Sequence, residues 1–201
     1  LNGAFSQAVK NEILRKNPVS SAVLPRDNHK RSARVMTLAE QSLFLQYSSG
    51  TKYASLYEIA LFTGMRSGEL RGLCWEDVNF QKREIHVAHT LTYQDGAYHL
   101  ETPKTKTSDR IIPMMENVFC LLKEQRKNQL KLRLLMGELW NPIEGFESLV
   151  FTSSYGHPVN RDCLKKELDK IVKSMNEVGI PFAHITPHTF RHTFATRSLE
   201  E

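Results

Sequence analysis

Between residues 84 and 101 polar and apolar side chains alternate on either side of Asp95-Gly96, while elsewhere the apolar residues recur mostly at helical spacing. A period of two fits a half-buried strand and a period near 3.6 fits a helix with one buried face. Together they limit the chain to a mainly α fold with a small antiparallel β-sheet, an α+β architecture. Asp-Gly suits the tightest hairpins because both central positions need positive φ. The pattern predicts one strand over Glu84–Leu91, a hairpin partner over Ala97–Glu101 and a third strand at Arg110-Ile111-Ile112.

The helical segments carry their own punctuation. Phe5, Ala8, Val9 and Ile13 predict a first helix, Phe5 to Lys16, closed by Asn17-Pro18. Thr37 and Glu40 form a capping-box pattern that opens a helix to about Tyr47. A second, about Tyr53 to Phe62, stops at Gly64, and Ser67 to Gly72 adds a helical turn. Glu116 to Met136 reads as a long amphipathic helix with Val118, Leu121, Leu122, Leu130, Leu134 and Leu135 mainly on one stripe. Leu149-Val150-Phe151 is a short apolar segment, and Asn160 opens a charged helix to about Val178 that Gly179 closes. Thr186-Pro187 supply the N-cap and first position of a last helix, with Phe190 and Phe194 turned into the core.

A chain of 201 residues with 40% hydrophobic content can bury one core, with room for a piece of another domain. Lys and Arg number 27 against 22 acidic residues, a net charge of +5 that is compatible with nucleic acid but shared by many ordinary domains. Cys74, Cys120 and Cys163 lie more than forty residues apart, which suits neither a disulfide framework nor a metal site and fits a reducing, cytoplasmic setting. No apolar run approaches the roughly 20 residues needed to cross a bilayer, and the first ten residues do not read as a signal peptide.

Three segments could carry chemistry. In Thr63-Gly64-Met65-Arg66-Ser67-Gly68-Glu69-Leu70 a helix breaks at glycine and presents Arg66, whose guanidinium can fork onto two phosphate oxygens or simply pair with Glu69. In Thr102-Pro103-Lys104-Thr105-Lys106-Thr107-Ser108-Asp109-Arg110 two lysines sit between predicted strands, either reaching into a substrate groove or keeping an exposed hairpin soluble. In Thr186-Pro187-His188-Thr189-Phe190-Arg191-His192-Thr193-Phe194, His188 and Arg191 are three apart and share one face near a helix N-terminus, a place suited to an anion. His188 and His192 lack the glutamate and third ligand of a zinc motif, so neither a metal nor a cofactor is expected. The polar stretch from Pro18 to Arg34 concentrates Arg26, His29, Lys30, Arg31 and Arg34 and reads as a basic linker, either solvated or laid against a polyanion.

These three segments, in this order, resemble the tyrosine recombinases: T-G-x-R-x-x-E-L, a lysine in a β-hairpin, then H-x-x-R opening a helix. The wording T-P-K-T-K-T-S-D-R-I-I-P and I-T-P-H-T-F-R-H-T-F-A-T-R is similar to integrases of conjugative transposons and temperate phages of bacteria. The resemblance implies a catalytic domain over residues 35–201, a basic interdomain linker over 18–34, and the last helix of a core-binding domain over 1–17. It implies that Arg66, Arg191 and His188 bind the scissile phosphate, that Lys106, with Lys104 as the competing assignment, protonates the departing 5′ hydroxyl, and that Glu69 braces Arg66. Lys104, Arg26, Lys30, Arg31 and Arg34 would contact DNA. The implied partners are double-stranded attachment-site DNA and, on DNA, three further copies in a tetramer, with this fragment monomeric in solution. The family also uses a tyrosine after the H-x-x-R helix. Tyr47, Tyr53, Tyr57, Tyr93, Tyr98 and Tyr155 all precede His188, so the fragment is expected to lack the nucleophile and not to cleave. A type IB topoisomerase and a catalytically inactive DNA-binding module are the alternatives.

Overall fold

A computed structural model describes residues 1–22, 34–102 and 109–200. The chain divides into two compact units, Leu1–Ser32 and Ala33–Glu201.

In the first unit, helix α1 (Asn2–Lys10) ends six residues before the expected Lys16. Glu12 takes a positive φ of 58°, and Asn17 folds back to donate from Nδ2 to Asn2 Oδ1 (2.7 Å) and Ser6 Oγ (3.0 Å). Local side-chain bonds thus compete with continued helix, as asparagine commonly does.

The second unit begins at α2 (Leu38–Ser48), whose start is the expected capping box: Thr37 Oγ1 accepts from Glu40 N at 3.2 Å and Glu40 Oε2 accepts from Thr37 N at 2.8 Å. Helix α3 (Ala54–Thr63) buries six of its ten residues and ends where Gly64 adopts φ 60°. A short helix α4 (Ser67–Arg71) follows immediately. Phe44, Tyr57 and Phe190 pack as an aromatic trio with ring centroids 5.3 to 5.8 Å apart, joining α2 and α3 to the last helix.

The strands depart from the expected single sheet. The stretch read as one strand is two, β2 (Glu84–Val87) and β3 (Thr90–Gln94), interrupted at Ala88-His89. Strand β3 pairs with β4 (Ala97–Glu101) through the expected turn, in which Asp95 and Gly96 both have positive φ. The third strand, β5 (Arg110–Pro113), does not extend that hairpin but pairs with β2, in register Val87 to Arg110, and β2 also pairs with the two-residue β1 (Val78–Asn79). Among the described residues, two small antiparallel sheets result.

Helix α5 (Glu116–Met136) has the expected bounds, but only its first half faces the core. Val118 and Leu122 are buried, whereas Leu130, Leu134 and Leu135 are 54%, 83% and 82% exposed, because the side of the helix that carries them turns away from the core. Helix α6 (Arg161–Glu177) is capped by Asn160 Oδ1, which accepts from Asp162 N at 2.8 Å, and buries Leu164, Leu168, Ile171, Val172 and Met175 on one stripe. Helix α7 (Pro187–Glu200) lies on α3 and is tied to the entry of α2. Thr193 Oγ1 accepts from Met36 N at 3.0 Å, and Arg197 Nη2 donates to Met36 O at 3.2 Å. No helix of the described residues is long and apolar enough to cross a membrane.

Candidate active site

The α3–α4 junction and the start of α7 meet at Gly64. A Cβ built there would lie 2.3 Å from Phe194 Cδ1, so α7 sits against bare backbone, and Arg191 Nη1 donates to Gly64 O at 2.6 Å. Phe190 is fully buried, as expected, while Phe194 is half-buried and forms this contact. Glycine is required here twice over, by its positive φ and by the ring.

Arg66 caps α4. Its backbone N–H donates to Glu69 Oε2 (2.8 Å) and its Nη1 to Glu69 Oε1 (2.8 Å), with the side chain still 49% exposed. Glu69 is buried, and a buried carboxylate needs full pairing. That pairing is completed by Arg110 from β5, whose Nη1 and Nη2 reach Oε1 and Oε2 at 3.1 and 2.8 Å in a fork-to-fork arrangement. Burial would push the Glu69 carboxyl up, but the hydrogen bonds from Arg110 and Arg66 outweigh it and hold the group below its ordinary value. Burial lowers the Arg191 pKa, helped by the nearby charges of Arg66 and Arg110 and opposed by Glu69. Among the described residues, the guanidinium groups of Arg66 and Arg110 bond to this one carboxylate and that of Arg191 is close enough to feel its charge, three positive groups beside one negative.

Helix α4 itself is held by Arg71, a buried residue that donates to Val159 O (3.1 Å) and Leu91 O (3.2 Å) and so ties the helix to β3 and to the segment before α6. His188 is exposed on the first turn of α7, three residues before Arg191. Lys104, Lys106, Arg26, Lys30 and Arg31 lie outside the described residues. Arg34 is paired with Glu40 at 2.5 Å and also donates to Val35 O.

Sequence reasoning missed Arg110 and Arg71 as members of this neighbourhood. It also missed a grouping of Cys74, Asp77 and His89, whose ligand-type atoms lie within 4.8 Å of one another. Asp77 Oδ2 accepts from Cys74 N and lies beside His89 Nδ1, each at 3.3 Å, and Cys74 Sγ donates to Gly72 O at 3.6 Å. Burial pushes the Cys74 thiol up to about 11, so it stays protonated near neutral pH and the grouping is a hydrogen-bonded knot at the entry to β3.

Comparison with known proteins gives this geometry a context. Residues 28–201 match the phage integrase family. Over 98% of its length the chain is 31% identical to a tyrosine recombinase XerC-like protein of Caldanaerobacter subterraneus subsp. tengcongensis, of which it covers 52%. It is also 31% identical, over 98% of its length, to the transposase from transposon Tn916 of Enterococcus faecalis, covering 49% of it. The integrase of transposon Tn1549, solved in complex with transposon right end DNA, shares 30% identity and a TM-score of 0.80, across 99% of this chain and 64% of that one. The chain thus spans about half the length of the curated relatives it matches.

Proposed function

Because this chain belongs to the phage integrase family and has the fold of a tyrosine recombinase catalytic domain, we propose that it is the phosphate-binding part of a site-specific DNA recombinase. The recombinase would integrate and excise a mobile element. The observation that carries the proposal is the surplus positive charge at the meeting of α4, β5 and α7, where Arg66 remains half-exposed beside Arg191. A phosphodiester that gains charge as it becomes pentacoordinate is stabilised by fixed donors placed where that charge develops.

In this mechanism Arg66 and Arg191 neutralise the non-bridging oxygens, and His188 adds a donor from the same helical face. A tyrosine attacks phosphorus and forms a 3′-phosphotyrosyl bond, while the 5′ oxygen leaves with a proton from Lys106, or from Lys104 in the competing assignment. Glu69 keeps Arg66 aimed. The same steps run backwards reseal a new strand, so no external energy source is needed. Residues 1–17 would end a core-binding domain, 18–34 would be the linker, and 35–201 the catalytic domain. The working assembly on DNA would be a tetramer, and the 201-residue segment alone a monomer. Arg26, Lys30, Arg31 and Arg34 would bind further phosphates. Their joint neutralisation should flatten the dependence of DNA affinity on salt by about 0.9 for each phosphate no longer neutralised. An unchanged slope would return the segment to a solvated loop.

The direct test compares the complete protein with residues 1–201 on a nicked duplex that traps the covalent intermediate, in chelator. The complete protein should become linked to DNA and the segment should bind without linkage, since no tyrosine follows Arg191 within it. Failure of the complete protein to link would favour the inactive DNA-binding module. Linkage of the segment would show that one of its six tyrosines is the nucleophile.

A further inference from the structure

We propose that Arg110 is a positioning residue of the recombination site, holding the Arg66 guanidinium in place beside Arg191 through the carboxylate that the two arginines share. The inference rests on the reading of the site as a phosphate clamp.

The geometry is specific. Each oxygen of Glu69 takes two hydrogen bonds, one from Arg66 and one from Arg110, and the carboxylate is almost wholly buried. Among the described residues Arg66 has little else to hold it: its side chain is half-exposed, and its bond to Glu69 Oε1 fixes one end of the fork. Arg110 is better anchored, with its side chain 26% exposed and its backbone at the first rung of the β2–β5 ladder, opposite Val87. A rigid strand therefore orients a carboxylate, and the carboxylate orients the exposed arginine. A planar fork meets the two carboxylate oxygens with two parallel N–H bonds of fixed geometry, which a lysine ammonium does not reproduce. Arg66 and Glu69 are three apart on one element, but Arg110 comes from 41 residues away and converts a local pair into a tertiary lock.

A consequence distinguishes this role from plain structural support. Among the described residues, the charged groups facing Glu69 are Arg66 at the N-cap of its helix, Arg110 on β5 and Arg191 on α7. Burial pushes the Glu69 carboxyl up, and the Arg110 hydrogen bond is the largest influence holding it down. Without Arg110, Glu69 takes up a proton at higher pH and releases Arg66. The acid side of the rate profile should then move toward neutrality.

The test uses the complete protein, with single-turnover cleavage of a nicked duplex and the DNA dissociation constant measured across pH at one salt concentration. Arg110→Met should slow cleavage about 100-fold, as a misplacement near 1 Å can, with affinity changed by less than about threefold and the acid limb moved up. Arg110→Lys should recover part of the rate only. Glu69→Gln combined with Arg110→Met should be no slower than the slower single variant, because the two act as a unit. Cleavage by Arg110→Met within about threefold of the unaltered protein, with the acid limb unmoved, would overturn the inference, as would full rescue by lysine. Melting curves accompany each variant. If Arg110→Met fails to fold, Arg110→Lys and its acid limb decide the matter. Arg191→Ala serves as the control: if it cleaves at full rate, the clamp reading itself fails rather than the role of Arg110.

Discussion

Replacing Gly64 with alanine tests the junction on which the site is built. The substitution has two separable costs. A residue with a Cβ at φ 60° occupies the left-handed region, which costs about 1 to 2 kcal/mol. The new methyl would stand 2.3 Å from Phe194 Cδ1, and relieving such overpacking costs about 1 to 3 kcal/mol more. The expected loss is therefore about 2 to 5 kcal/mol, a large part of the 5 to 15 kcal/mol typical of a folded domain. Urea unfolding of Gly64→Ala, Phe194→Ala and the double variant separates the two effects. The steric part should appear as a coupling of about 1 to 3 kcal/mol between the positions, and the backbone part should persist in the double variant. A total loss below about 1 kcal/mol, or a coupling near zero, would refute the steric origin of the glycine requirement. Because Gly64 O accepts from Arg191, the same substitution should also slow strand cleavage in the complete protein.

Two further outcomes follow from the second unit. The Arg34 hydrogen bond holds the Glu40 carboxyl down at about 2 from an ordinary 4.5, so its contribution to stability is present above pH 4.5 and is lost as pH falls toward 2. Arg34→Met should flatten stability over that window relative to the unaltered chain, and identical acid limbs would contradict the pairing. Along α5, Leu134→Gln and Leu135→Gln should each change stability by no more than about 0.5 kcal/mol, whereas Leu122→Ala should cost about 2 to 5 kcal/mol. Comparable costs at all three positions would show that the end of the helix is covered.

Local chemistry made several elements legible in the sequence. The capping pair Thr37 and Glu40 and the left-handed stop at Gly64 act within a few residues, and each appears where the sequence places it. The split of the long strand was invisible for a physical reason. Ile85, Val87 and Leu91 are all buried and all odd-numbered, so the chain passes from one sheet to another without changing the phase of its alternation. Periodicity reports which face is buried, not which partner pairs. The leucine stripe of α5 failed differently, since the stripe continues through Leu134 and Leu135 although, among the described residues, these side chains stay exposed. The Arg66–Glu69 pair could be read at i, i+3. Arg110 and Arg71 could not, because their roles arise only when β5 and β3 are brought to α4.

The most direct measurement of the central claim is covalent trapping by the complete protein carrying Arg191→Ala, with DNA binding measured on the same preparation. Removing one of the clamp's guanidiniums should abolish the protein–DNA link while leaving most of the affinity, because the transition state needs that charge more than the bound duplex does. Trapping at the level of the unaltered protein would contradict the clamp.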